Sequence, residues 1–153
     1  PEGLDDFYEH FRCAQAAEAW ISLGPWIEAT NPQFGPGVKE RFAAAKAMDP
    51  AKAAACRAFR RVAQARLHGL LAGGAVLVYP TSPAAAPLLT ATLSEQNAVR
   101  ERTMGVTAIA GLGGLPEVTI PAGRAGGAPV GLSLAAAPGR DRALLALAER
   151  IAA

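Results

Sequence analysis

The stretch GLGGLPEVTIPAG, residues 111–123, decides how the chain is read. Three glycines in four residues precede a short β-type run, Glu117–Ile120, which is flanked by Pro116 and Pro121. A proline lacks the N–H that a sheet ladder needs, so prolines belong at strand limits or on edge strands. The spacing therefore predicts a strand of about four residues between the two prolines. The glycines before it predict bare backbone in close approach to a neighbour. They do not form GxGxxG, because Pro116 holds the final position, and they follow a helical pattern where a dinucleotide loop follows a strand.

Working outward, Ala75–Tyr79 (AVLVY) is a continuous apolar run of strand length, the pattern of a strand buried on both faces. Val130–Leu134 predicts a third strand, joined to the second by a turn at 121–129. Ser94–Ala110 reads as a helix capped by Ser94. A last helix runs from Asp141 to Ala153, with Leu144, Leu145, Ala148 and Ile151 inward. The first half is helical. Residues 4–23 carry Phe7, Phe11, Ala14, Ala17 and Ile21 at helical spacing, with Gly24-Pro25 as the stop and a loop over 25–36. A second helix spans about 37–48, with Val38, Phe42 and Ala45 inward. A third runs from Asp49-Pro50 to about Ala72, ended by Gly73-Gly74. Residues 1–72 thus read as mainly helical and 73–153 as α/β. Three strands are few for a free-standing sheet, where about 4–6 is usual.

Hydrophobic residues make up 51% of the 153 and charged residues 18%, an apolar balance that suits part of a larger body. The net charge is +2 with scattered basic residues, and Arg57, Arg60 and Arg61 form the main cluster. This gives neither the basic stripe nor the stacking aromatics of a nucleic-acid surface. No signal-peptide pattern opens the chain, and no apolar run reaches the roughly 18 residues of a membrane helix, which reads as cytoplasmic. Heavy use of alanine and arginine, with only Lys39, Lys46 and Lys52 as lysines, is the composition of GC-rich bacterial coding. Cys13 and Cys56 lack metal or redox spacing and read as buried thiols.

Candidate chemistry is sparse. GLSLA, 131–135, approximates the GxSxG nucleophile elbow. Ser133 falls inside a predicted strand, however, and Ala135 replaces the second glycine. His10 and His68 stand far apart on helices, with nothing marking a triad or metal partner. The residues call for no cofactor or metal.

The second half, as a whole, resembles the C-terminal end of amidase-signature hydrolases. The segments that carry the resemblance are AVLVYPTSPAAAP (75–87), Arg102 with Thr107, GLGGLPEVTIPAG (111–123) and APVGLSLAAAPGRDRALLALAERIA (128–152), in that order. EAWISLGPWI and NPQFGPGVKERF (18–27 and 31–42) are similar to the indole-acetamide hydrolase branch, which also holds a chloroplast-import receptor with an amidase-like domain. The resemblance implies the C-terminal part of the amidase fold: a mixed sheet covered by helices, with a helical N-terminal half. It implies hydrolysis of a carboxamide to carboxylate and ammonia through an acyl-serine, with a Ser-Ser-Lys triad in a Gly/Ser-rich stretch. No such stretch occurs here, so no catalytic residue is carried over and the triad is expected in a missing N-terminal part. Gly111 departs from the Asn that most members place there.

On this reading the chain supplies sheet, helical layer and one pocket wall. The loop after a strand's C-terminal end favours Thr81, Ser82 and Pro83 as substrate-binding residues. Gly111, Gly113 and Gly114 form the second expected wall. Trp26 and Phe34 read as core aromatics, with an aromatic-accepting pocket as the alternative. The expected partners are a small-molecule amide and the missing part of the amidase, without nucleic acid or membrane; a homodimer stays open. The competing reading is a non-catalytic binding or scaffold domain.

Overall fold

The computed structural model describes residues 3–35 and 37–152. Pro1, Glu2, Pro36 and Ala153, and with them the expected ends of the 25–36 loop and of the last helix, lie outside the described residues. The order is α1 (Leu4–Thr30), α2 (Val38–Lys46), α3 (Pro50–Leu70), a 3-10 turn (Ala72–Gly74), β1 (Val76–Pro80), α4 (Leu93–Gly113), β2 (Glu117–Ala125), β3 (Ala128–Ala136) and α5 (Asp141–Ala152). The chain forms two compact units, Glu9–Arg61 and the remainder. The expected class, a helical first half followed by helices around a small sheet, is what the chain adopts.

In the Glu9–Arg61 unit, Gly24-Pro25 does not stop α1. The Trp20 indole lies 2.8 Å from where a Gly24 Cβ would be, so the glycine is there for packing. Pro25 removes one backbone donor and the helix resumes. It ends at Asn31, which takes the left-handed conformation (φ 43°) and donates its N–H to the Ile27 carbonyl at 2.9 Å. Trp26 is therefore helical and half exposed. Asp49 starts α3 as expected, its Oδ1 accepting the Ala51 N–H at 2.9 Å. The core is built of small residues: Cys13, Ala14, Ala17, Ala45, Ala53 and Cys56 are buried. At its surface Lys52 pairs with Glu9, Arg60 with Glu18 and Lys46 with Glu28.

In the other unit the sheet order is β1-β3-β2, and both pairings are antiparallel. The mixed character implied by the resemblance is not made by these three strands. The β2–β3 connection is a tight hairpin through Gly126 (φ 58°) and Gly127 (φ 82°), which forces antiparallel pairing, and β1 joins on the far side of β3. One face of the sheet presents Leu77, Tyr79 and Ala135 to Leu67, Leu71, Ala110 and Leu115. The other presents Val76, Val118, Ile120, Leu132, Leu134 and Ala136 to Leu144 and Ala148 of α5. Because α5 packs on β2 and β3, Val78 of β1 stays 53% exposed and the expected burial of both faces fails there. Leu145 and Ile151, expected inward, are half exposed on the outer side of α5, and Val38 of α2 is also exposed.

The four-residue limit on β2 is corrected. Pairing continues from Glu117 to Ala125, with a bulge between Pro121 and Gly123, whose φ is 139°. An edge strand tolerates the missing Pro121 donor, and the glycine absorbs the extra residue. The turn expected over 121–129 therefore shrinks to the Gly126-Gly127 hairpin.

Helix α4 starts two residues earlier than the Ser94 cap predicted. Thr92 is the N-cap. Its Oγ1 accepts the Glu95 N–H at 3.3 Å, while the Glu95 carboxylate accepts the Thr92 N–H at 2.7 Å. Thr92→Ala is expected to destabilise the helix by about 1 kcal/mol, read as a lower denaturant midpoint. Hydrogen bonds from the Thr92 hydroxyl and N–H hold the Glu95 carboxyl below its ordinary value of 4.5. A carboxyl so lowered stabilises the fold fully above that ordinary value, and the stabilisation is lost as pH falls through the lowered folded value. Acid titration followed at the Glu95 side chain should show this midpoint in the intact cap and its return toward 4.5 in Thr92→Ala.

Candidate functional site

Strand alternation places Tyr79 and Thr81 on the same face of β1. Tyr79 lies opposite Ser133 of β3, and Ser133 lies opposite Thr119 of β2. Thr81 extends the ladder by one bond, donating its N–H to the Gly131 carbonyl at 3.1 Å. The result is a triangle of hydroxyls on one sheet face. Thr81 Oγ1 is 2.8 Å from Ser133 Oγ, Thr119 Oγ1 is 3.2 Å from Ser133 Oγ, and Thr81 donates to Thr119 across 3.3 Å. Ser133 is fully buried while Thr119 is exposed, so the triangle runs from the interior to the surface.

Gly131 makes the triangle possible. A Cβ there would stand 2.7 Å from Thr119 Cγ2 and 3.1 Å from Thr81 Oγ1. The next residue, Ser82, pairs with Thr103 of α4 at 3.1 Å between hydroxyl oxygens and lies 3.4 Å from the Ala84 N–H. Thr103 in turn donates to the Val99 carbonyl at 2.8 Å. Pro83 is exposed beside it.

The glycines expected in the second wall lie elsewhere. Gly111 and Gly113 belong to the last turn of α4 rather than to a loop, and Gly114 (φ 61°) caps it, donating its N–H to the Ala110 carbonyl. Gly113 is buried: a Cβ there would meet Leu115 Cγ at 2.8 Å and Leu67 Cδ1 at 2.9 Å, and its carbonyl lies 2.8 Å from His68 Nε2. Eight helical positions separate Thr103 from Gly111, or about 12 Å of rise. Thr81 and Ser82 are thus brought together with Thr103, Thr119 and Ser133, whereas Gly111, Gly113 and Gly114 form a separate patch.

Sequence reasoning missed Thr103, Thr119 and Tyr79. Period-two spacing of Tyr79 and Thr81, and four-residue spacing of Thr103 and Thr107, were the available signals. The Tyr79 hydroxyl is buried with no hydrogen-bond partner among the described residues. Burial pushes its pKa above the ordinary phenol value, and the Glu117 carboxylate adds to the shift.

Ser133 has threonine hydroxyls for partners, an arrangement that holds a side chain still and offers no base to draw off its proton. It lies within β3, as the sequence predicted, and not on a strand-to-helix elbow. His10 stacks on Phe59 at 3.8 Å between ring centres. Among the described residues no group of three or more His, Cys, Asp or Glu could hold a metal, and no helix is long and apolar enough to cross a membrane. In the Glu9–Arg61 unit a cleft of about 620 Å³ is lined by Trp20, Phe34, Phe42, Lys39 and Lys46, among others; Phe34 stacks on Phe42 and Trp26 is not in the lining.

Against known proteins, the family model described as Amidase matches residues 22–145. Amidase 1 of Arabidopsis thaliana is 37% identical over 142 residues, covering 93% of this chain and 33% of that protein. Outer envelope protein 64, chloroplastic, of the same plant is 26% identical over 122 residues, covering 80% of this chain and 21% of that protein. A crystal structure of an amidase superposes with a TM-score of 0.81 at 27% identity, covering 97% of this chain and 35% of the other. The chain spans about a third of the length of the Amidase 1 proteins it matches.

Proposed function

The chain belongs to the amidase family, and from that premise we propose that it works as one portion of a larger amidase that hydrolyses a carboxamide to a carboxylate and ammonia. The reaction proceeds through an acyl-serine whose nucleophile, bridging serine and lysine lie outside these 153 residues. This portion contributes sheet, helical layer and pocket wall. The observation that carries the division of labour is the hydroxyl set. Ser82 and Ser133 have hydroxyl groups as side-chain partners, so each is positioned without being activated. The exposed Val78 on β1 fits a body completed by further chain.

Thr81, Ser82 and Pro83 form the wall. Ser82, half-buried and braced by Thr103, faces substrate from the end of β1, where α/β sheets place ligands. Gly111, Gly113 and Gly114 act at a distance from it. Their part is to let the end of α4 pack against Leu67 and Leu115, with the exposed Gly111 and Gly114 available to a second side of the pocket.

The test uses the complete protein that contains this chain, assayed for ammonia release from simple aryl-acetamides. Ser82→Ala is expected to raise KM about fivefold with kcat nearly unchanged, the loss of one positioning hydrogen bond of about 1 kcal/mol. An equal fall in kcat would instead put Ser82 in the chemical step. Ammonia release by residues 1–153 alone would sink the assignment of the nucleophile elsewhere. The likeness to an outer envelope protein favours a second reading, a non-catalytic binding domain; in that case the complete protein releases no ammonia from any amide offered.

A further inference from the structure

We propose that the sulfur atoms of Cys13, Met48 and Cys56 form a three-coordinate site for a soft monovalent cation, copper(I). All three belong to the Glu9–Arg61 unit, and none has a part in the amidase reading. Cys13 on α1 and Cys56 on α3 pack in one buried cluster with Ala14, and Met48, from the connection between α2 and α3, packs against it. Cys13 and Cys56 are 3% and 4% exposed. The small Ala14 packs in the same cluster as the two thiols.

Cys13 Sγ stands 3.7 Å from Met48 Sδ and 3.8 Å from the Lys52 carbonyl oxygen, one helical turn before Cys56. Metal–thiolate bonds of about 2.3 Å set the sulfurs of a planar three-coordinate site about 4 Å apart. The Cys13–Met48 edge is therefore already close to the length that an ion would require.

The donor set selects the ion. Two thiolates and a thioether, with no imidazole or carboxylate among them, are soft ligands that favour copper(I) over magnesium or calcium. Zinc takes four ligands in structural sites, and this cluster supplies three. Binding exchanges two thiol protons for the cation: two S–H bonds break, two Cu–S bonds form, the thioether donates a lone pair, and both protons leave to solvent. The complex carries one net negative charge. Lys52, whose ammonium is paired with Glu9 at 3.0 Å, also interacts electrostatically with both cysteines. The Cys56 thiol becomes a ligand only when a cation displaces its proton. Met48 is only half-buried and marks the way in.

The test is anaerobic titration of the intact, reduced chain with copper(I) held by bicinchoninate. The expected result is withdrawal of one copper(I) per chain from the chelator, with X-ray absorption showing three sulfur neighbours. Met48→Leu conserves core volume and should leave two sulfurs and weaken binding by about tenfold. The double variant Cys13→Ala, Cys56→Ala should withdraw none, its fold checked by circular dichroism. The proposal is overturned if copper(I) stays on the chelator, if zinc(II) is taken in preference, if Met48→Leu binds as tightly as the parent, or if the folded double variant still binds.

Discussion

Truncation of Leu134 to alanine is expected to lower the unfolding free energy by about 2–5 kcal/mol. Leu134 is 1% exposed and sits on the middle strand, against Ile120, Leu144 and Ala148. Its neighbours on either side, Val78 of β1 and Val118 of β2, are fixed by ladder hydrogen bonds, so the sheet has little freedom to close over the space that alanine would leave. The facing Ala148 is too short to fill it. A large share of the cavity therefore persists, which places the cost toward the upper part of the range. Urea denaturation should show a lower midpoint at unchanged slope. A loss under about 1 kcal/mol would mean that α5 is not seated on β3 as described.

Gly131→Ala is expected to cost about 1–3 kcal/mol, through crowding rather than loss of contact. The added methyl would stand 2.7 Å from Thr119 Cγ2 and 3.1 Å from Thr81 Oγ1. Both threonines are β-branched and stiff about χ1, and both hydroxyls are tied to Ser133, so neither can swing aside without breaking the triangle. The diagnostic measurement is a double-mutant cycle with Thr119→Ser, which removes the clashing methyl and keeps the hydroxyl. The two changes together should cost less than the sum of their separate effects by at least about 0.5 kcal/mol. Additive costs would show that the strain lies elsewhere.

The helical first half and the last helix were legible because each rests on periodicity and local capping, and the first strand, expected at 75–79 from its continuous apolar run, forms one residue later at 76–80. The start of α3 at Asp49-Pro50 is the clearest case, since cap and first turn are adjacent in sequence. Misread boundaries turned on non-local facts. Gly24-Pro25 has the composition of a helix stop, but the Trp20 ring occupies the space over Gly24 and the stop falls at Asn31. In GLGGLPEVTIPAG, Pro116 does precede the strand, and its carbonyl accepts the Ala136 N–H at 3.2 Å. Pro121 was read as a limit because the sequence does not say that β2 is an edge strand with room for a bulge. Thr81 and Ser82 could be picked out as strand-end residues. Their partners Thr103, Thr119 and Ser133 could not, since a one-residue shift of register would turn Ser133 and Thr119 to the opposite face. The motifs that carried the family resemblance lie mostly in 75–152, whereas the family match begins at residue 22, so the helical half carried more of that identity than its composition disclosed.

The two seams of the sheet also differ in what the chain must do to close them. At the β2–β3 hairpin, Ala125 meets Ala128 across two glycines that reach the turn conformation without strain. Pro80, by contrast, meets Leu132, 52 positions further on, and that seam cannot form until the whole of α4 has been gathered into the intervening loop. Loop-closure entropy has to be overcome before such a distant pairing returns any stabilisation. The hairpin can be assembled locally on the microsecond scale of such units. The hydroxyl triangle, which needs all three strands, therefore depends on the less local of the two pairings.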